Sequence, residues 1–255
     1  MRNNLTIWQQ NVNKSPSCQH DLLSSNVLSQ RNIDVVVLQE PSINAYNYTV
    51  ASWDWTSVYP SMHAGVPDKT RAVTLISSQI CSDNWNQLDF PSRDVIVTHC
   101  KGNWGELVVF NIYNNSNSNE TINLLTQFHR NNSQLLDAGE AQNTHILWLG
   151  DFNRHHPHWD DPSDMRLFTR AALDMAEVLI EAVAEAGLDL VLPSGIPTHV
   201  HNVTKHWSRL DQVFISEHSL ELVITCDTQS NQRGLNTDHL PILTELKPLH
   251  RQKSH

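Results

Sequence analysis

The chain has 255 residues, 39% of them hydrophobic, with eight Trp, and carries 27 acidic against 17 basic side chains for a net charge of −10. That length and apolar content exclude a disordered chain and allow one domain with a sizeable core. The acidic balance excludes a broad cationic surface, so any contact with a polyanion has to come from local Lys and Arg or from a bound cation.

Neither repeats nor low-complexity linkers interrupt the chain. Leu5 to Gln10 reads as a strand that runs into QQNVNK (9–14), with Asn11 and Asn13 at its edge. Residues 18–31 mix polar and apolar side chains and are predicted to be a helix. Ile33 to Leu38 is a continuous apolar run, the signature of a strand buried on both faces. Glu40 lies just past it, closed off by Pro41. A Glu at such an edge is either a solvated end or an oxygen ligand for a hard divalent cation. Residues 42–70, rich in Trp, Tyr, Ser and Pro, read as a long loop region. Strands are predicted at 71–77, 93–100 and 106–112, with Lys101 to Gly105 as a hairpin turn. A helix is predicted over 119–138, weakened at its centre by Asn131, Asn132 and Ser133.

The run LWLGDFNRHHPHWDD (147–161) is the most informative stretch. An apolar strand from His145 to Leu149 ends on Gly150, and Asp151 and Asn153 follow. In extended chain, residues two apart point the same way, which predicts a carboxylate and an amide in one pocket. A carboxylate can take a proton from water, and an amide can hold that water or a phosphate oxygen. The helix over 165–186 is the strongest in the chain. Leu167, Phe168, Ala171, Met175, Val178, Leu179 and Ala182 form its apolar face, Pro162 and Ser163 mark its start, and Gly187 its stop. Strands at 188–192, 210–215, 221–226 and 241–246 follow. Asp211 opens one of them in SRLDQVFIS (208–216), and Asp238 and His239 precede another in NTDHLPI (236–242).

One acid at one strand end is commonplace. Five strand-edge polar clusters in this order are not, and together they resemble the endonuclease/exonuclease/phosphatase superfamily, the fold of pancreatic deoxyribonuclease, over about Leu5 to Leu246. The resemblance implies an α/β four-layer sandwich: two packed, mostly antiparallel sheets flanked by helices, forming a single domain over 1–246. It implies that Asn11 and Glu40, with Asp238, belong to a metal site for Mg²⁺ or Mn²⁺. Tyr113, in FNIYN (110–114), matches a phosphate-contacting Tyr, Asp151 the water-activating acid and Asn153 its partner. Asp211 matches the acid that orients a catalytic imidazole, Asp238 the acid beside it, and His239 that imidazole. Taken singly, His239 could equally be a satisfied core imidazole and Tyr113 a packing residue.

GDFNRHHPHWD further resembles the endonuclease domains of non-LTR retrotransposons, through His155, His156, Pro157 and Trp159. Asn13 fits, because abasic-site enzymes usually place an Asp there. The expected activity is therefore nicking of double-stranded DNA at the target site, with the reverse transcriptase part of the same polyprotein as a second partner. The expected setting is intracellular, nuclear at the point of action, with no targeting signal or membrane-spanning run visible. Arg71, Lys101, Arg154, Lys205 and Arg209, with Ser208, are candidates for a local rim that touches the substrate. The HHPHW loop lacks a Cys or a spaced third His, so it reads as structural packing over the next helix and not as a zinc site.

Cys18, Cys81, Cys100 and Cys226 form no CxxC pair and read as reduced thiols. The Asn-x-Ser/Thr triplets at Asn47, Asn114 and Asn202 reflect an Asn-rich composition. The tail KPLHRQKSH (247–255) is basic and reads as mobile, ending where a polyprotein would continue. Two alternatives stay open. One is another phosphoesterase of the same fold, acting on an abasic site, an inositol phosphate or a sphingolipid; the other is a degenerate binding module.

Overall fold

The computed structural model describes residues 4–102, 105–136 and 144–248. In chain order the strands of the first half are β1 (Leu5–Asn11), β2 (Val35–Gln39), β3 (Trp55–Val58), β4 (Ala72–Ser77), β5 (Trp85–Leu88), β6 (Val95–Gly102) and β7 (Gly105–Tyr113). Those of the second half are β8 (Thr144–Asp151), β9 (Leu188–Leu190), β10 (His199–Val200), β11 (Trp207–Ser208), β12 (Asp211–Ser216), β13 (Val223–Thr228) and β14 (Ile242–Leu246). They form two six-stranded sheets, ordered β13-β14-β1-β2-β4-β3 and β5-β6-β7-β8-β12-β9, plus the small ribbon β10-β11.

The side chains explain the layering. Along β1, Leu5 and Ile7 face inward and Trp8 outward, and both sets are buried. The inward set meets Leu107, Val109, Leu147, Leu149, Val213 and Ile215 of the other sheet, which makes the central core. The outer face of the first sheet packs Trp8, Val36, Leu38, Val73 and Leu75 against Cys18, Leu22 and Leu28 of two short helices. The outer face of the second packs Phe110, Ile112, Ile146 and Trp148 against Ile122, Leu125, Ala176 and Leu179. Helix, sheet, sheet, helix is thus the observed order. Because both faces of each sheet are covered, the central strands lack polar alternation.

The helices start and stop where local chemistry dictates. α1 (Pro16–Ser24) begins at Ser15, whose Oγ accepts from the Cys18 N–H at 3.1 Å, with Pro16 in the first turn. The single helix predicted over 18–31 is instead two: α1 ends at Ser25, which is extended, and α2 (Val27–Gln30) is one turn. Likewise α3 (Glu120–Asn131) and α4 (Ser133–Leu136) break at Asn132, while 137 and 138 lie outside the described residues. α5 (Arg170–Glu185) starts at Thr169, whose Oγ1 accepts from the Ala172 N–H, and stops at Gly187 with φ +62°. Residues 165–167 form a separate 3-10 turn, so Leu167 and Phe168 precede the helix, and Ala171 is exposed. The buried stripe is centred on Ala176, Leu179 and Ala182. The half-exposed strands β3 and β5 escaped the reading because Trp-Thr-Ser-Val and Trp-Asn-Gln-Leu lack a continuous apolar run. The strand predicted over 221–226 starts two residues late, because Glu217 to Leu222 forms a 3-10 helix. Of the predicted basic tail, residues 249–255 lie outside the described ones.

Strand direction places the candidate site. Each large sheet contains one parallel pair, β1 with β2 and β7 with β8, and is otherwise antiparallel. The parallel pairs deliver four strand C-termini to one edge of the sandwich. Antiparallel β12 and β14 deliver their N-termini to that same edge, with Asp211 opposite Asp151 and Ile242 opposite Gln9. Between the sheets, Gln39 Nε2 donates to Asn111 Oδ1 at 2.7 Å, and Asn111 Nδ2 donates to the Val73 carbonyl at 2.9 Å. This buried amide pair ties the layers together one residue from Glu40 and two from Tyr113.

At the start of β8, His145 is 4% exposed and its Nδ1 is hydrogen-bonded to Ser219 Oγ. Burial, helped by His218, pushes its pKa down to about 4. The neutral ring therefore contributes stability that is present above the unfolded value near 6.5 and is lost as pH falls towards 4, on the order of 2 kcal/mol in all. Urea unfolding at pH 7 and pH 4.5 should show a smaller loss for His145→Gln than for the parent. An equal loss in both would mean that the imidazole is not buried neutral.

Candidate active site

At the shared edge, Asn11 is the last residue of β1 and Asp151 the last of β8, one from each sheet. Asn11 Nδ2 donates to Asp151 Oδ2 at 2.8 Å, and Asn11 Oδ1 accepts from the Asn13 N–H. The other carboxylate oxygen, Asp151 Oδ1, accepts from the Asn153 N–H at 3.0 Å. Asn153 is not in extended chain, as predicted, but at φ +51°, and its Nδ2 donates to the Asn114 carbonyl at 3.0 Å. The tight turn, and not strand periodicity, brings Asp151 and Asn153 together.

His239 lies between the acids. Its Nδ1 is 2.8 Å from Asp211 Oδ2, and its Nε2 is 4.0 Å from Asp151 Oδ2 and 3.9 Å from Asp238 Oδ1. Thr237 Oγ1 accepts from the His239 N–H and donates to the Asn11 carbonyl, fixing this loop to the end of β1. Burial acts to lower the His239 pKa, but Asp211, then Asp151 and Asp238, raise it well above the ordinary imidazole value. The imidazole is therefore held protonated at neutral pH. Burial pushes the Asp151 carboxyl well above the usual carboxylate range; His239 opposes this and Asp211 adds to it.

Glu40 stands across the β1–β2 pair from Asn11, in the left-handed region at φ +45°. Its N–H donates to the Arg71 carbonyl and its carbonyl accepts from the Lys14 N–H. A non-glycine residue held there costs on the order of 1–3 kcal/mol, which its surroundings must offset. Arg71 Nη1 reaches Glu40 Oε1 at 3.1 Å and its guanidinium lies 4.8 Å over the Tyr113 ring. Burial, with Glu40 next, raises the Tyr113 phenol far above its usual value, so it stays a hydroxyl donor.

The rim expectation is only partly met. Arg71 sits beside Glu40 and Tyr113. Lys205 is exposed between β10 and β11, and Ser208 Oγ lies 3.1 Å from His199 Nδ1. Arg154 and Arg209 are corrected: they are 2% and 1% exposed, so neither reaches a ligand. Arg154 donates to the carbonyls of Met175, Asn115, Ser116 and Ser118, and Arg209 to those of Leu192 and Pro193 and to Gln212 Oε1. Each guanidinium acts as an internal bracket for loops. Lys101 is corrected too. It pairs with Glu106 at 3.1 Å, six residues along β6 from Val95, roughly 20 Å from the Tyr113 end. In the HHPHW loop, Trp159 is buried in the same core cluster as Ala176 of α5, its Nε1 donating to the Arg154 carbonyl, and the following Asp160 accepts from the Arg209 N–H.

Sequence reasoning missed His199, Asn202 and Thr198. Asn202 Nδ2 donates to Asp238 Oδ2 at 2.8 Å, and Thr198 Oγ1 accepts from the Asp211 N–H at 3.1 Å. Thr198 and His199 stand together at the start of β10, where the two-residue strand left no periodic signal.

Glu40, Asp151, Asp211 and Asp238 thus gather around one imidazolium and Arg71. This excess of oxygen donors, with the Asn11 amide among them, fits a hard divalent cation. Among the described residues, two groups place three ligand atoms within 4.8 Å of one another: Asp151, Asp211 and His239, and His199, Asp238 and His239.

The sequence profile of the Endonuclease/Exonuclease/phosphatase family matches residues 8–227. No curated protein sequence matches the chain. Among solved structures, the endonuclease domain of TRAS1, a telomere-specific non-LTR retrotransposon, has 14% identity and TM-score 0.71, over 96% of this chain and 100% of that one. The AP endonuclease LMAP from Leishmania major has 12% identity and TM-score 0.75, over 97% and 89%. The 3'-5' exonuclease NExo from Neisseria meningitidis has 18% identity and TM-score 0.67, over 95% and 100%. All three have the fold of this chain.

Proposed function

The chain belongs to the Endonuclease/Exonuclease/phosphatase family, and on that footing we propose that it is a metal-dependent endonuclease that nicks duplex DNA, the target-site nickase of a non-LTR retrotransposon. One observation carries the hydrolytic reading: the buried line from Asp211 through His239 to Asp151, with distances of 2.8 and 4.0 Å, at an edge crowded with acids. The retrotransposon reading rests on GDFNRHHPHWD and on the likeness to the TRAS1 domain.

Asp151 is placed to accept the proton of the attacking water, and Asn11 and the Asn153 N–H orient its two oxygens. The Asn153 side-chain oxygen is left to position that water. His239, held protonated by Asp211, donates to a phosphoryl oxygen that gains charge as phosphorus becomes five-coordinate; the P–O bond to the leaving sugar then breaks, and that oxygen takes a proton from solvent. Tyr113 donates to another, and Arg71, over its ring, adds positive charge. Glu40, Asn11 and Asp238 would hold Mg²⁺ or Mn²⁺, which when bound neutralises phosphate charge and acts as a Lewis acid. The acting location is nuclear, with the reverse transcriptase part of the same polyprotein as partner. No helix among the described residues is long and apolar enough to cross a membrane.

The test is nicking of supercoiled plasmid with Mg²⁺ and with chelator. Glu40→Gln keeps the shape and removes the charge a hard cation needs, so nicking should be lost and metal binding weakened. Nicking by Glu40→Gln with chelator present would overturn the metal role. Intact duplex should be cut at least as readily as duplex containing an abasic site. A strong abasic preference, or hydrolysis of inositol phosphates or lipids alone, would move the chain to another branch of the family.

The corrected rim gives a second expectation. Lys205→Ala should lower the slope of log affinity against log salt by about one phosphate contact, and Lys101→Ala should leave it unchanged. The opposite ranking would put the DNA on the other end of the sandwich.

A further inference from the structure

We propose that His199, Asp238 and His239 form a binding site for a borderline transition-metal ion of the Zn²⁺ type, adjoining the oxygen-rich position near Glu40 and sharing Asp238 with it. A backbone bridge joins His199 to His239, and their rings lie 4.9 Å apart. Each imidazole has its Nδ1 held from behind, His199 by Ser208 Oγ at 3.1 Å and His239 by Asp211 Oδ2 at 2.8 Å. Both remaining nitrogens therefore face one carboxylate: His199 Nε2 is 3.6 Å from Asp238 Oδ2, and His239 Nε2 is 3.9 Å from Asp238 Oδ1.

An oxygen or sulfur partner on the far nitrogen of each ligating His is the arrangement that orients imidazoles towards a metal. The donor set is two imidazoles and one carboxylate, with a fourth position open to water. That set suits Zn²⁺ or Co²⁺, whereas Mg²⁺ takes oxygen ligands. Tetrahedral ligand distances of about 2.0–2.1 Å require edges of roughly 3.4 Å. The nearest approach of each imidazole to the Asp238 carboxylate, though to different oxygens of it, is within about 0.5 Å of that, and with one oxygen per carboxylate all three ligand atoms already lie within 4.8 Å of one another. Asn202 Nδ2, on Asp238 Oδ2 at 2.8 Å, supports the carboxylate from outside. Asp151 and Asp211 add negative charge around His239, an environment that favours a dication.

Such an ion would displace the proton on His239 Nε2, which passes to solvent, and because that atom is assigned above to the phosphoryl group the ion would inhibit nicking. That consequence rests on the proposed function, but the binding itself does not.

The experiment is a titration of the whole chain with Zn²⁺ by calorimetry and with Co²⁺ by visible absorption. One ion per chain is expected, with the intense Co²⁺ bands of four-coordination. His199→Asn removes Nε2 while its amide can still bond Ser208, and it should weaken Zn²⁺ binding at least about 100-fold. Ser208→Ala, which touches only the outer support, should weaken it on the order of 10-fold. Zn²⁺ affinity within about 3-fold of the parent in His199→Asn, or a weak six-coordinate Co²⁺ spectrum, would overturn the site. X-ray absorption of the Zn²⁺-loaded parent decides it if His199→Asn fails to fold: two imidazoles in the zinc shell support the site, and none refutes it.

Discussion

Asp211→Ala and His239→Ala are each expected to lower turnover in DNA nicking on the order of 10²-fold or more, and the double variant is expected to be scarcely worse than the poorer single. The reason is the 2.8 Å bond from His239 Nδ1 to Asp211 Oδ2. It sets the tautomer and ring orientation, and the Asp211 charge is the main influence that keeps the buried imidazole protonated. Without Asp211, His239 loses the strongest influence that holds its proton, and its aim, so removing the ring as well takes away little that is left. Asp211→Asn separates the two effects. It can keep a hydrogen bond but not the charge, and should fall between the parent and Asp211→Ala. Circular dichroism must first show every variant folded, because Asp211 begins β12 and its N–H is bound to Thr198. Losses that multiply fully in the double variant would mean two independent residues, and the pairing would have no catalytic meaning.

Gly150→Ala is expected to cost more stability than any other single methyl added to this chain's described glycines, by at least about 4 kcal/mol. Gly150 lies in β8 between β7 and β12, paired with Ile112 on one side and Gln212 on the other, at φ +149°. A Cβ there would fall 1.8 Å from the Ile112 carbonyl oxygen and 2.7 Å from its carbon. Those atoms are backbone inside a paired strand, so neither can swing aside as a flexible side chain would. The backbone angle is one that L side chains rarely adopt. Gly65→Ala is the matched control, since nothing lies within 4 Å of its added Cβ, and should stay within about 0.5 kcal/mol of the parent. Thermal unfolding should place Gly150→Ala at least about 10 °C below Gly65→Ala, or leave it insoluble. A gap of only a few degrees would show that β8 can move away from β7. The position next to Asp151, the carboxylate proposed to activate water, gives this glycine a second role. The close approach of β7 and β8 sets Asp151 directly between Tyr113 and Asp211.

What the sequence by itself determined was local. Val35 to Leu38 and Ile146 to Leu149 are apolar without alternation, so each is a strand buried on both faces, and each stops at a polar residue. Residue type then restricts what a strand end can do, and this is why Asn11, Glu40, Asp151, Asp211, Asp238 and His239 stood out before any fold was known, whereas Tyr113 and the separate roles came from the family resemblance. Tertiary structure decided what depends on elements distant in sequence. The two parallel pairs bring those ends to one edge, and the two-residue strand β10 sets His199 against His239, 40 positions away. No periodic pattern marks so short a strand. Charge was the least legible property. Arg154 and Arg209 are buried because several loop carbonyls converge on each guanidinium and satisfy its N–H groups, and Lys101 is carried to the far end of its hairpin. A long basic side chain is written identically in sequence whether it meets carbonyls or solvent. Which of the two it meets depends on loops that close only when the two sheets pack.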